Sequence, residues 1–265
     1  MAASVSAQLL DQELHSVRFG RAARVVQEVS STVDLAWEWL KQGAPQGAVV
    51  IAEQQRRGRG RLGRSWLSPA GGLWMSVITA PMLRASAAGR LGAGMAMAAA
   101  EGVMRATGIS VGLKWPNDLV VGGKKLGGVL VETQARRERI EAAVLSLGLN
   151  VNIPIDAFPG ELRDTATSLL ELSGREYPVE AIAARILESL EEMWSSVLFS
   201  GTELVERWNG LDVLSGHEVE VLMGDTALRG VSMGMGMGGE LILMAEGETR
   251  RVAVGEVRSV RSVTA

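Results

Sequence analysis

The apolar residues of this chain follow two patterns that change over near residue 210. Before that point, short apolar runs alternate with longer stretches at helical spacing. Residues 48–52, 72–80, 111–115 and 140–149 are apolar runs of strand length, and residues 24–29 alternate well enough to form another strand. Residues 119–121 and 125–132 flank Gly122-Gly123 and read as a hairpin. Leu35, Ala36, Trp39 and Leu40 continue a helix opened by Ser30-Ser31-Thr32, with Asp34 in a capping-box relation to Ser31 and a stop at Gly43 and Pro45. Residues 85–107 are rich in Ala and Met, with glycines at 89, 92, 94 and 102, and predict a buried helix lying close against a sheet. Pro178 suits a helix start, and Ile182, Ile186, Leu190 and Trp194 then recur at helical spacing as far as Phe199. A short helix over 4–18 presents Leu9, Leu10 and Leu14 before Phe19-Gly20, as packing or as a frayed extension. Residues 153–177 read as loop, with Thr167-Ser168-Leu169 opening a short helix. Beyond Gly210, strand-like pieces at 219–223, 227–233, 241–244 and 251–254 are split by glycine turns, which suggests a small SH3-like β-barrel.

Composition narrows the chemistry. With 265 residues, 47% hydrophobic and 22% charged, the chain can fill one large domain or a large one plus a small one. Cysteine is absent, which removes disulfides, thiolate catalysis and cysteine-bound metal. The two histidines, His15 and His217, lie far apart in sequence and support neither a zinc site nor a Ser-His-Asp triad. No run has the length of a membrane span, and no secretory signal pattern opens the chain, so a soluble cytoplasmic protein is expected.

Charge singles out one stretch. Arg56, Arg57, Arg59, Arg61 and Arg64 share residues 55–66 with Gly58, Gly60 and Gly63, directly after an apolar run. No acid lies between Gln54 and Ala100, where seven arginines do, so that window carries +7 on a chain of net charge −3. Guanidinium forks match phosphate oxygens, and glycine lets the backbone approach a ligand. A local positive field on an acidic protein points to a focused anionic ligand. Gly58-Arg59-Gly60-Arg61-Leu62-Gly63 also spells G-x-G-x-x-G. A dinucleotide fingerprint, however, opens a helix and sets an acid about twenty residues on. Pro69-Ala70-Gly71-Gly72 interrupts any such helix, and the next acid is Glu101. No Gly-Lys-Ser/Thr follows for a P-loop. RNA-binding arginine-glycine tails are repeated and of low complexity, unlike this single loop between strands. A merely solvated loop would leave its like charges repelling one another.

A second constellation is Lys114-Trp115-Pro116-Asn117-Asp118, followed by Lys125-Leu126-Gly127-Gly128-Val129-Leu130-Val131-Glu132. Singly, the first is good turn chemistry and Lys124-Lys125 a solvated pair. Taken with the arginine loop, in this order and spacing, they resemble the biotin protein ligases. Gly148-Leu149-Asn150, Thr167-Ser168-Leu169 and the 255–261 segment extend the resemblance over residues 24–261.

The resemblance implies an α+β fold, with a mixed or antiparallel central sheet and packed helices as in class II synthetases, plus the C-terminal SH3-like barrel. It divides the chain into an extension (1–23), a biotin- and ATP-binding catalytic domain (24–208) and the barrel domain (209–265). The implied activity is formation of biotinyl-5′-AMP from biotin and ATP, then transfer of biotin to a lysine of a biotin carboxyl carrier protein. Arg59-Gly60-Arg61 becomes the loop over biotin and its adenylate, and Lys125 the lysine on the biotin carboxylate and reacting phosphate. Gln55 contacts biotin, Ser31 and Thr32 bond its ureido group, and Gly127-Gly128 lets the sheet approach it. Val33 stands where the family usually has asparagine, leaving only a backbone contact. Arg61, Trp66, Asn117, Lys125 and Asn150 fall on the nucleotide side. Asp118 matches an aspartate associated with the acceptor lysine, with turn capping as its other reading. Magnesium is expected with ATP, its ligands unidentified by any carboxylate cluster. About twenty-three residues precede the first core strand, too few for the helix-turn-helix of the repressor-type members. Ligation without DNA or membrane binding, by a monomer or weak homodimer, is therefore expected. Lipoate ligases share the acyl-adenylate chemistry and are the nearest alternative. Octanoyltransferases need a cysteine. A nucleic-acid-binding module using the arginine loop is the alternative from another class.

Overall fold

The computed structural model describes residues 5–261, so Ser4 and the outermost ends of the first and last expected segments lie outside the described residues. Helix α1 (Ala7–Glu13) is shorter than its pattern suggested, because Leu14 is already extended. The following backbone N–H groups of Val17, Arg18 and Phe19 all reach the Glu191 carboxylate instead. Strand β1 (Ala23–Val29), helix α2 (Thr32–Lys41) and strand β2 (Val49–Gln55) form a crossover unit in which β1 and β2 are parallel. The arginine segment, expected as a loop, is a small hairpin of β3 (Gly58–Arg59) and β4 (Ser65–Trp66). Next come β5 (Leu73–Thr79), β6 (Leu83–Arg84), helix α3 (Gly89–Thr107), β7 (Gly112–Lys114), β8 (Asp118–Val121), β9 (Lys124–Arg136) and β10 (Arg139–Leu149).

These strands build one mixed sheet in the order β1-β2-β5-β10-β9-β8-β7, with β6 added along β10; every pairing except β1–β2 is antiparallel. The long β9–β10 hairpin runs past its apolar residues into an exposed tip, which hydrophobic pattern alone does not mark. Short helices α4 (Gly160–Arg163) and α5 (Leu169–Ser173) follow. Ser168 caps α5 by accepting the Glu171 N–H at 3.1 Å.

Alternation across the pleat sorts the sheet's two faces. Val49, Ile51, Leu73, Met75, Val77, Leu145, Leu147 and Leu149 meet α3 and α6 (Val179–Phe199) in the main core. Val50, Ile78 and Val144 meet α2 on the other face. The glycines of α3 serve a helix partner more than the sheet. A Cβ on Gly102 would stand 2.6 Å from the Ile186 backbone, and one on Gly94 would stand 2.4 Å from the Val197 side chain. Helix α7 (Gly201–Asn209) was not expected; it buries Leu204 and Trp208 one turn apart, and Ser200, in capping-box spacing with Glu203, accepts the Glu203 N–H.

Strands β11 (Glu218–Met223), β12 (Thr226–Met235), β13 (Leu241–Ala245), β14 (Glu248–Val252) and β15 (Glu256–Arg261) form an antiparallel sheet in the order β14-β13-β12-β11-β15. The expected small β unit is present, while its edge strands β14 and β15 do not pair with each other among the described residues. Its apolar side joins the main core through Val219, Val221, Leu241 and Leu243. No helix among the described residues is long and apolar enough to cross a membrane.

Candidate active site

The α2 face of the sheet is not uniformly apolar. Ser76 on β5 and Ser146 on β10 point to it side by side, 2.9 Å apart, followed by Gly148 and Gly128. Ser76 donates to Thr32 Oγ1 at 2.8 Å, and Thr32 Oγ1 donates to Gln55 Oε1 at 3.1 Å. Gln55 Oε1 also takes the Thr32 backbone N–H at 2.8 Å, and Gln55 Nε2 donates to Ser68 at 2.9 Å. The first free N–H of α2 is thus satisfied by Gln55, not by the expected Ser31–Asp34 box. Ser31 Oγ is buried without a partner, and Asp34 pairs with Arg59 at 2.9 Å. This buried, polar chain forms one end of a cleft of about 500 Å³, a size typical of small-molecule sites.

The arginine hairpin forms one wall. Gly58 is obligatory there, since a Cβ would lie 2.3 Å from the Trp66 carbonyl oxygen. The expected repulsion is partly relieved by acids from elsewhere in the chain. Arg56 pairs with Glu28 at 3.0 Å, Arg59 with Asp34 and with Glu132 at 3.3 Å, and Arg64 makes a two-pronged pair with Glu256 at 2.9 and 2.7 Å. Those hydrogen bonds hold the Glu256 carboxyl below the usual carboxylate range and raise Arg64. Arg61 differs. It donates to Asn117 Oδ1 at 3.1 Å and to the Gly255 carbonyl at 3.3 Å, both neutral acceptors. Burial pulls its pKa down from the arginine range, with Asp118 opposing, and it remains a cation.

The Lys114–Asp118 turn forms the facing wall. Asn117 Nδ2 donates to Val129 O at 2.7 Å, which fixes the amide so that its oxygen meets Arg61. Lys125 Nζ lies 2.6 Å from Asp118 Oδ1 and 5.2 Å from the centre of the Trp66 ring. Trp66 itself lies against Gly148, where a Cβ would come within 2.6 Å of its Nε1, and that indole N–H is buried without a partner. We expect Gly148→Ala to displace Trp66 and cost about 1–3 kcal/mol by overpacking. It should also weaken small-molecule binding in the cleft more than it lowers the denaturation midpoint. Titration calorimetry beside a denaturant melt would check this.

Of the residues singled out from sequence, the cleft is lined by Thr32, Val33, Gln55, Arg59, Gly60, Arg61, Trp66, Asn117, Asp118, Lys125, Gly128 and Asn150. Ser31 and Gly127 do not line it. Gly127 is explained by the sheet, because its Cβ would strike the Gly148 carbonyl at 2.7 Å. Asn150 turns its amide to Thr167 O at 2.9 Å, so its side chain braces the loop behind the cleft. Sequence reasoning passed over Ser76 and Ser146. Their signal is a hydroxyl on the same face of two apolar strands, legible only once the strands are known to be neighbours.

Residues 25–152 match the family model described as the biotin/lipoate A/B protein ligase family. Over 250 residues the chain is 31% identical to the bifunctional ligase/repressor BirA of Bacillus spizizenii, covering 91% of this chain and 77% of that protein. It is 30% identical over 246 residues to the biotin–[acetyl-CoA-carboxylase] ligase of Mycobacterium tuberculosis, covering 89% and 88%. Among solved structures, a biotin protein ligase from Aquifex aeolicus in complex with biotin and ATP superposes with a TM-score of 0.79 at 28% identity, covering 91% of this chain and 99% of that one. The fold is thus that of the enzymes that join a carboxylic acid to a protein. The chain belongs to the biotin/lipoate A/B protein ligase family, among its biotin protein ligases.

Proposed function

We propose that this chain makes biotinyl-5′-AMP from biotin and ATP, then passes the biotinyl group to a lysine of a biotin carboxyl carrier protein. One observation carries the reading: Arg61 and Lys125, from separate segments, converge on Asn117 and Asp118 beside a buried hydroxyl-and-amide floor. The floor suits an uncharged ureido ring, and the cations suit a carboxylate meeting a phosphate. The apposition of two anions is the barrier that fixed cations lower.

In the first step a biotin carboxylate oxygen attacks the α-phosphorus. A P–O bond forms, the bond to the bridging oxygen breaks, and pyrophosphate leaves with the electron pair. Arg61 and Lys125 neutralise the α-phosphoryl group, and Trp66 covers the site. In the second step the carrier's amine attacks the biotinyl carbonyl carbon and AMP leaves. The amine must first lose a proton, a cost of about 4.6 kcal/mol at pH 7 from an ordinary lysine. Asp118, already holding one ammonium at 2.6 Å, is the proposed acceptor of that proton. No cluster of three His, Cys, Asp or Glu placed to hold a metal occurs among the described residues. Magnesium would enter with ATP and would screen its phosphates as pyrophosphate departs. Residues 24–208 and 209–265 are proposed as catalytic and C-terminal domains, respectively.

Incubation with ATP, biotin and a carrier domain should add one biotinyl group to the carrier by mass spectrometry. An unmodified carrier would contradict the proposal, as would a carrier modified in a parallel incubation with lipoate but not in the one with biotin.

A further inference from the structure

Five cationic side chains line the cleft: Arg59, Arg61, Arg64, Lys114 and Lys125. Four are engaged, Arg59 by Asp34 and Glu132, Arg64 by Glu256, Lys125 by Asp118, and Arg61 by two neutral oxygens. Among the described residues, Lys114 makes no side-chain hydrogen bond or ion pair. This is unexpected from its place in the sheet. Lys114 and Asp118 are directly opposed in the β7–β8 ladder, the closest cross-strand relation a sheet offers. The carboxylate nevertheless turns to Lys125, on the far side. Two lysines thus flank one aspartate, and the second is left facing the cleft, half-buried and uncompensated. A charge held partly out of water with no partner is costly unless an anion completes the site.

We propose that Lys114 binds the pyrophosphoryl end of the nucleotide and takes up the charge that develops as pyrophosphate departs. The assignment rests on the adenylate-forming reading above. It follows from position: Lys125 and Arg61 are assigned to the α-phosphoryl group, and Lys114 lines the same cleft on the adjacent strand, across Asp118 from Lys125. The adenylate intermediate has lost its β- and γ-phosphates. Lys114 therefore acts in the first half-reaction and contributes nothing to the second, which separates it from a residue that serves the fold or the carrier.

The test compares the full-length parent with Lys114→Gln and Lys114→Arg. Biotin-dependent exchange of labelled pyrophosphate into ATP reads the first step, and single-turnover transfer from preformed biotinyl-5′-AMP to a carrier domain reads the second. In Lys114→Gln, KM for both ATP and pyrophosphate should rise about ten- to a hundredfold, the loss of one charge-assisted phosphate contact. Biotin affinity, thermal midpoint and transfer from preformed adenylate should stay at parent values, and Lys114→Arg should recover most of the exchange. Unchanged KM values would overturn the assignment, as would a fall in transfer that matches the fall in exchange. Absence of exchange in the parent itself would instead overturn the ligase reading, and this proposal with it.

Discussion

Lys125→Ala should lower kcat/KM for adenylate formation by about 10²–10³, as expected when one preorganised donor is removed from developing phosphoryl charge. The loss has two parts. An ammonium disappears from the point where carboxylate and phosphate meet, and Asp118, now without the partner 2.6 Å away, is left as a net negative charge on the same wall. The single variant therefore replaces attraction with repulsion. A double variant, Lys125→Ala with Asp118→Asn, should recover part of the first step although it carries more changes, because the repulsive term goes with the carboxylate. Stability should hardly move. Both side chains are a quarter or more exposed, and pairs of that kind contribute little to folding. Pyrophosphate exchange across the four proteins of the cycle, beside a denaturant melt, measures both terms. A double variant no better than the single one would place Lys125's role in positioning Trp66 instead.

Arg61→Ala should be as severe in the first step, for a different reason. Its two partners, Asn117 Oδ1 and the Gly255 carbonyl, are neutral, so truncation orphans no charge. It instead removes the cleft-lining cation of the hairpin that, among the described residues, pairs with no carboxylate, together with one of the hairpin's ties to the segment leading into β15. We expect a loss of about 10²–10³ in exchange, and faster escape of preformed biotinyl-5′-AMP in a filter-retention assay. Lysine should rescue poorly, since one ammonium cannot span two acceptors held in fork geometry. An Arg61→Lys protein with parental retention would show that charge alone suffices.

The sequence was informative where one residue type has few uses. Glycine at 58 and the run of arginines announced a backbone turn close to an anion, and the structure gives Gly58 a carbonyl where a side chain would be. The strands of the sheet were legible because both faces are covered. Long-range compensation was not. Nothing local to the arginine segment shows that Glu28, Asp34, Glu132 and Glu256 come to it from four other places. Nor does the Ser31–Asp34 spacing reveal that Gln55 displaces it as the cap of α2. Helix α7 differs: its short apolar stripe, Leu204, Val205 and Trp208, is local and was passed over because the helix has only nine residues. For the arginine segment and the start of α2 the deciding partner is distant in sequence, so periodicity cannot register it.

The central claim is that the cleft activates biotin as an adenylate. Biotin-dependent exchange of labelled pyrophosphate into ATP tests it without a carrier protein. The account predicts exchange that requires biotin, is not supported by lipoate, and collapses in Lys125→Ala. Exchange that proceeds with lipoate but not biotin, or none with either in the parent protein, would contradict it.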